Sequence, residues 1–412
     1  MSPHKKRSKT TDDAAPPGGV VARGGKVDPE ALRAQVEANA LDQLGDEESD
    51  AEEQLAHVSF TLARDLNKRL DRYLTDRITF LSRNQLQRLV EAGAVLVNGR
   101  EAKPSTKLRV GDVVDVSIPP PPPKDIQPEA IPINVLYEDE HLLVLNKQPD
   151  LIVHPARSHH AGTLLNGLVH HFAQQGAGAL SAVGKDVARP GVVHRLDRNT
   201  SGVMVVAKDD LAHWKLAGLF ERRQVDKRYL ALVEGVMEID ADIIEAPLGP
   251  SPSRVKGQRE KMVVRHDELG KQAITLYRVR QRFPLDTPEP IGQRGVRGYT
   301  LVELELKTGR THQIRVHLSN LGYPIAGDDM YGGHNIQHVD IGNDTPGVAL
   351  ARQALHACVL AFRHPITGAP VTFTAPVPHD FAAVVRALRA MHTAGPIITP
   401  PGATIDLAQA LP

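Results

Sequence analysis

The chain has 412 residues, room for two or three domains and at least one sizeable core. Its 49 basic and 49 acidic residues cancel, so net charge neither demands nor excludes a polyanionic partner. The single cysteine, Cys358, excludes an intramolecular disulfide and a cysteine-rich zinc cluster, and no run of about 18 apolar residues marks a membrane span. A cytoplasmic protein with no membrane partner is expected.

Residues 1–57 read as a tail. Pro16-Pro17-Gly18-Gly19 and Gly24-Gly25 break it, and the acidic run 46–53 has nothing to bury, although a short helix fits 29–44. Residues 58–118 read as a compact α/β module. Leu62, Leu66, Leu70 and Leu74 recur every fourth residue, the spacing of one helix face. Ser82 with Gln85 three residues on is a capping-box pattern that starts a second helix. Val95 to Val97 then runs into Asn98-Gly99, a strong hairpin signal, and 113–118 supplies another strand. This module carries 11 basic against 7 acidic residues, the most basic part of the chain. Arg69, Arg72, Arg83 and Arg88 are its candidate phosphate contacts, although solvated helix faces also account for scattered arginines.

Five consecutive prolines, 119–123, predict an extended spacer within a linker over 119–129. From residue 130 a second domain runs to 393, with 394–412 as a loose tail. Residues 135–147 read as strand, acidic turn, strand, and Gly162-Thr163 opens a helix. The histidines His159, His160, His170 and His171 lack the companion carboxylates or thiols of a metal site, so no metal is expected.

The stretch 191–208 is the densest in functional groups. Two branched apolar runs, Val192-Val193 and 203–207, flank a polar tip, the pattern of two strands joined by a turn. The tip places one carboxylate, Asp197, between Arg195 and Arg198. That setting favours the ionised form, which suits a nucleophile better than an acid. Beyond it, 211–223 has helical spacing around Trp214, and 227–235 reads as a strand carrying Lys227 and Tyr229. Residues 249–272 form a basic, polar stretch that suits a hairpin. Residues 284–298 look like a variable loop and 333–350 like an insertion. In 304–318 a strand reaches a Thr308-Gly309 turn, followed by Arg310 and a helix-compatible run. His312 and His317 stand five apart, the wrong spacing for two metal ligands on one helix face. Apolar neighbours predict a buried, inert Cys358, and 380–391 a last helix.

His194-Arg195-Leu196-Asp197-x-x-Thr200-Ser201-Gly202 resembles the signature loop of the pseudouridine synthases that modify ribosomal and transfer RNA, and more narrowly of their large-subunit ribosomal branch. Lys227-Arg228-Tyr229, Thr308-Gly309-Arg310-x-His312-Gln313-Ile314-Arg315 and Arg352-Gln353-Ala354-Leu355-His356 resemble further motifs of that family in the same order. Arg69-Leu70-Asp71-Arg72-Tyr73-Leu74, Ser82-Arg83 and Val95-x-Val97-Asn98-Gly99 resemble the S4 RNA-binding domain. The resemblance implies an α+β fold, with a mixed, largely antiparallel sheet preceded by the S4-like module. It implies an isomerase that needs no cofactor, breaking the N-glycosidic bond of an RNA uridine and rejoining the turned base through carbon. Carried over by motif, Asp197 is the catalytic carboxylate, Arg310 its charge partner and Tyr229 the aromatic beside the flipped base. Arg195, Arg198 and Lys227 are candidate RNA contacts.

The expected substrate is large-subunit ribosomal RNA and the expected state a monomer. Transfer RNA, or a catalytically silent role in ribosome assembly, are the alternatives. A hydrolase is disfavoured, since glycoside hydrolysis generally needs paired carboxylates and the loop offers one.

Overall fold

The computed structural model describes residues 20–22, 25–32, 56–63, 65, 68–118, 126–153, 161–174, 191–253, 255, 261–285, 296–343 and 345–411. The acidic run 46–53, the five-proline spacer, Leu66, His159 and His160, and most of the expected loop 284–298 lie outside the described residues. The chain forms two compact units that divide, after the N-terminal stretches, between Pro123 and Lys124.

The first unit contains β1 (Ala56–Thr61), α1 (Leu70–Arg77), α2 (Arg83–Glu91), β2 (Val95–Val97), β3 (Arg100–Glu101) and β4 (Val113–Ile118), with sheet order β1-β4-β2-β3. Ala56, Val58 and Phe60 alternate inward along β1. The four-residue leucine spacing concealed this strand: the helix begins only at Leu70, and Leu62 is buried just past the strand instead. α2 is capped as its sequence predicts. Ser82 Oγ accepts from Gln85 N–H at 3.3 Å, and Gln85 Oε1 accepts from Ser82 N–H at 2.7 Å. Asn98 and Gly99 both take positive φ, 54° and 74°, which the tight β2–β3 turn requires. Part of the expected tail is held: Val27 N–H donates to Arg77 O at 2.7 Å, and Leu32 is buried.

In the second unit come β5 (Asn134–Glu138), β6 (Leu142–Lys147), α3 (Leu164–Gln174), β7 (Gly191–Val192), β8 (Ser201–Ala207), α4 (Asp210–Glu221) and β9 (Asp226–Glu234). They are followed by β10 (Ala241–Glu245), β11 (Leu248–Pro250), β12 (Met262–Val264), β13 (Ile274–Pro284), β14 (Gly298–Leu306) and α5 (Gln313–Asn320). The unit ends with β15 (Ile336–Gln337), β16 (Val348–Leu350), β17 (Leu355–Arg363), β18 (Pro370–Thr374), α6 (His379–Ala390) and α7 (Leu407–Ala410). Among the described residues a ten-stranded sheet runs β10-β13-β14-β9-β17-β8-β6-β5, with β18 on β17 and β7 on β8. Every pair is antiparallel except β8 with β17. The expected mixed, largely antiparallel sheet is therefore present. β11 and β12 form a separate hairpin inside the basic stretch 249–272, of which Arg254, Lys256 and Arg259 lie outside the described residues.

One row of the sheet positions the site. Lys147, Gly202, Ala357, Tyr229, Leu304 and Tyr277 are register partners on successive strands β6, β8, β17, β9, β14 and β13. Partners in register share a face, so Lys147 and Tyr229 project to the same side.

The segment 333–350, expected as an insertion, places Ile336, Ile341 and Leu350 in the main core. The expectation of a loose tail over 394–412 needs correcting: Ile405, Leu407 and Leu411 join that core. Its peptide groups serve buried charges as well. Glu303 accepts from Thr404 N–H at 2.7 Å and Ile405 N–H at 3.2 Å, and Arg280 donates to Ile405 O at 2.8 Å. Prolines at 396, 400 and 401 masked this in the sequence, because they interrupt helix and sheet where they stand without ruling out packing. Cys358 is buried, as expected, and burial pushes its thiol pKa well up.

Candidate active site

The polar tip 197–201 leads into β8, and four side chains hold it, two by its carbonyls and two by its hydroxyls. Lys147, almost wholly buried, points its ammonium at three carbonyls: Leu151 O at 2.8 Å, Arg198 O at 2.9 Å and Gln148 O at 3.0 Å. Arg352, fixed by two bonds to Asp380, donates to Asn199 O at 3.2 Å. Gln353 reaches Thr200 Oγ1 at 3.4 Å. Ser201 Oγ lies 2.9 Å from His356 Nδ1, whose Nε2 faces Ala375 O at 3.1 Å. Because a carbonyl can only accept, His356 carries its hydrogen on Nε2 and takes the serine hydroxyl on Nδ1. Burial lowers the pKa of His356 to about 3, so it stays neutral.

His194 sits on the other side of the tip. Its Nε2 accepts Val205 N–H at 3.1 Å, and its ring stacks on Phe220 at 4.6 Å. Gly202 makes the crossing to β17 feasible. It has φ of +126°, and a Cβ there would stand 2.3 Å from Ala357 O.

This scaffold presents Asp197, which has no exposed surface. Arg315 Nη1 donates to Asp197 Oδ2 at 2.9 Å, and His312 Nε2 lies 3.7 Å from Asp197 Oδ1. The opposite edge of Arg315 is occupied by Asp328, through Nε at 2.7 Å and Nη2 at 2.9 Å. Burial would lower the pKa of Arg315. The hydrogen bond and charge of Asp328, and then the charge of Asp197, outweigh it and hold the guanidinium above its usual value. The Tyr331 ring packs under Arg315, 4.9 Å from ring centre to Cζ, and its hydroxyl meets His312 Nδ1 at 2.6 Å.

α5 is what brings His312 and Arg315 here. Gln313 ties its first turn down, with Oε1 accepting from Thr308 Oγ1 at 2.8 Å and Nε2 donating to Ile274 O at 3.0 Å.

The expected residues are thus placed as follows. Asp197 is central. The role of its ion-pair partner, expected of Arg310, falls to Arg315, five residues on; the Arg310 Nε donates to Gln272 O at 3.2 Å. Arg310 lies before the N-cap His312, whereas Arg315 lies within the first turn of α5. Motif order alone did not separate the two arginines. Tyr229 is buried in the core, on the sheet face it shares with Lys147. Arg198 is half-exposed, with Nε 2.6 Å from Asp150 Oδ1, and Arg195 is partly buried two residues before Asp197. Lys227 is largely buried, its ammonium 5.6 Å from the Phe220 ring centre.

Lys147, Asp328 and Tyr331 carried no role in the sequence reading, and His312 was weighed only as a metal ligand. The Gly327-Asp328 and Tyr331-Gly332 pairs, polar residues beside glycines just after a motif helix, were the available signal.

In the first unit, Arg69, Arg72, Arg83 and Arg88 are all exposed. Asp71, with no exposed surface, collects Arg83 Nη2 and Gln87 Nε2, each at 2.8 Å, Arg72 N–H at 2.9 Å and Arg69 Nε at 3.2 Å. Burial alone would raise its pKa, but these bonds prevail and lower it to about 2.

Comparison with known proteins agrees with this geometry. A family model described as RNA pseudouridylate synthase matches residues 141–320, and an S4 domain model matches 68–114. An RNA pseudouridine synthase of Bacillus subtilis is 40% identical over 323 residues, 78% of this chain and 95% of that protein. The chain belongs to the RNA pseudouridine synthase family. A ribosomal large subunit pseudouridine synthase D of Zymomonas mobilis is 41% identical, covering 78% of this chain and 93% of that one. The protein of the same name in Xylella fastidiosa is 39% identical, covering 78% and 89%. As a member of the family the protein is an isomerase that converts uridine in RNA to pseudouridine, and its S4 domain precedes the synthase region. The atoms balance without a co-reactant: the bond from the ribose carbon to N1 breaks, one to C5 forms, and a proton leaves C5 while N1 gains one.

Proposed function

We propose that the protein acts in the cytoplasm, as a monomer, on uridines of large-subunit ribosomal RNA. Supporting this are two relatives named for that substrate, which this chain matches over about nine-tenths of their length. The observation that carries the chemistry is the buried Asp197 carboxylate held at 2.9 Å by Arg315. In this reading the target uridine leaves its stack, at a cost of a few kcal/mol, and Asp197 acts on the nucleotide as the nucleophile. Arg315 orients the carboxylate and balances its charge, and Tyr229 packs against the turned base. Arg195, Arg198 and Arg310 take phosphates, which position the strand without reading its sequence. Lys227, being largely buried, contributes through the Phe220 stack behind the tip. The exposed arginines of the S4 domain supply most of the affinity for RNA. No helix among the described residues is long and apolar enough to cross a membrane.

Mapping pseudouridine across ribosomal and transfer RNA from cells lacking the protein tests the substrate. Sites missing from large-subunit ribosomal RNA, and restored by the wild-type chain but not by Asp197→Asn, are expected. Loss confined to transfer RNA would overturn the ribosomal assignment.

A further inference from the structure

Two carboxylates, Asp197 and Asp328, share the single guanidinium of Arg315, and all three side chains are buried. Asp328 takes two of its N–H groups and Asp197 one. The carboxylate expected to do the chemistry therefore has the smaller share of the cation. A second donor on its other oxygen would both add to its support and fix its rotation, and His312 stands there, Nε2 3.7 Å from Oδ1.

The contacts of Tyr331 bear on which ring nitrogen of His312 carries hydrogen. Tyr331 Oη receives the backbone N–H of Met262 at 3.0 Å, and a backbone N–H can only donate. The 2.6 Å contact with His312 Nδ1 admits either direction, and with the phenol proton given to Nδ1 the hydroxyl uses both its donor and an acceptor. In that arrangement Nε2 carries the hydrogen, on the side facing Asp197. The backbone also reflects a constraint. His312 has φ of +52°, a left-handed conformation that few residues other than glycine adopt, asparagine, aspartate and histidine being the ones that do so most often, at the entry to α5. Strain of this kind persists where the surroundings fix a side chain in place.

We propose that His312 is a positioning residue for the isomerisation: Tyr331 fixes its Nε2–H tautomer, and that N–H holds Asp197 Oδ1 when RNA is bound. At 3.7 Å the contact is longer than a hydrogen bond, and sites without substrate are commonly loose in this way, tightening in the complex. The inference rests on the reading of Asp197 as the acting carboxylate.

Three variants of the full chain and one spectrum test it. Asparagine suits the left-handed backbone but carries its amide near the Nδ1 position, with nothing at Nε2. Glutamine reaches as far as Nε2. In single-turnover assays with saturating enzyme, His312→Asn should slow conversion about a hundredfold and His312→Gln about tenfold, both with unchanged RNA affinity. Tyr331→Phe keeps the ring under Arg315 and removes only the hydroxyl, and should slow it about tenfold. In enzyme labelled with 15N-histidine, the His312 resonances, identified by their loss in His312→Gln, should show a bare Nδ1 and a protonated Nε2. Tyr331→Phe should convert them to a mixture.

A wild-type spectrum with hydrogen on Nδ1 would overturn the proposal whether or not the variants fold. So would a wild-type rate in His312→Asn, or an altered tautomer in Tyr331→Phe without a change in rate. Failure of the underlying reading looks different: Asp197→Asn would itself retain turnover.

Discussion

Arg315 bridges Asp197 and Asp328, with one N–H on the first at 2.9 Å and two on the second at 2.7 and 2.9 Å. That geometry needs a planar fork with donors on opposite edges, which lysine lacks. Arg315→Lys should therefore lower the single-turnover rate tenfold to a thousandfold, roughly 1.4–4 kcal/mol of transition-state stabilisation. Arg310→Lys should act mainly on RNA affinity, since its proposed contact is a phosphate. Comparing the two variants at saturating enzyme checks the assignment. A normal rate in Arg315→Lys and a collapsed rate in Arg310→Lys would restore the order expected from the motif.

Gly202 is required by the one parallel pairing of the sheet. Added to a backbone at φ +126°, an alanine methyl would lie 2.3 Å from Ala357 O and 2.5 Å from Ala357 N. Backbone atoms in register cannot yield as a side chain tip would. Gly202→Ala should cost about 3 kcal/mol or more of unfolding free energy, read from urea denaturation of the full chain. A loss under about 1 kcal/mol would mean that the tip leading to Asp197 is not locked to β17 in this way.

Buried histidines make stability depend on pH. Burial lowers the pKa of His194 and His356 to about 3, against an ordinary 6.5. Between those values the unfolded chain binds more protons than the folded one, so stability falls as pH drops through 6.5 and the loss levels off only below about 3. Each fully buried histidine contributes about 2 kcal/mol of loss between pH 7 and pH 5. His356→Gln keeps a donor for Ala375 O and cannot take a proton. The variant should therefore lose about 2 kcal/mol less than wild type over that interval. Equal losses in the two proteins would place the acid sensitivity elsewhere.

What the sequence disclosed depended on how local the cause was. The capping box at Ser82, the Asn98-Gly99 turn and the strand runs around Asp197 are each decided by a few neighbouring residues, and they appear where expected. β1 failed because it ends directly before a leucine repeat of helical period, and only packing shows that the helix begins at Leu70. The C-terminal stretch failed because its partners, Arg280 and Glu303, lie about a hundred residues earlier. In the site, a motif located Asp197 but could not choose between Arg310 and Arg315. That choice turns on which side of a left-handed residue, His312, the helix begins. Asp328 and Lys147 act on Asp197 only through another side chain or through loop carbonyls, and such second contacts leave no local pattern to read.

The S4 domain offers a test in which two effects have opposite sign. Asp71 is a buried carboxylate on which Arg69 and Arg83, both about half exposed, are anchored. With its pKa lowered to about 2, its contribution to stability is present above the ordinary carboxylate value and is lost as pH falls through about 2. Asp71→Asn keeps the shape but removes the charge, at a cost of about 1–3 kcal/mol to the domain. The surface also becomes more positive by one unit, so if the arginines were merely solvated charges, RNA would bind more tightly. If Asp71 instead holds the two guanidiniums in position for phosphates, affinity should fall about threefold to tenfold despite the added positive charge. Titrating RNA at several salt concentrations separates these, because losing ordered phosphate contacts also flattens the dependence on salt. Tighter binding with an unchanged slope would show that the arginines need no anchor. Weaker binding with a shallower slope, in a protein whose thermal transition is still cooperative, is the expected outcome.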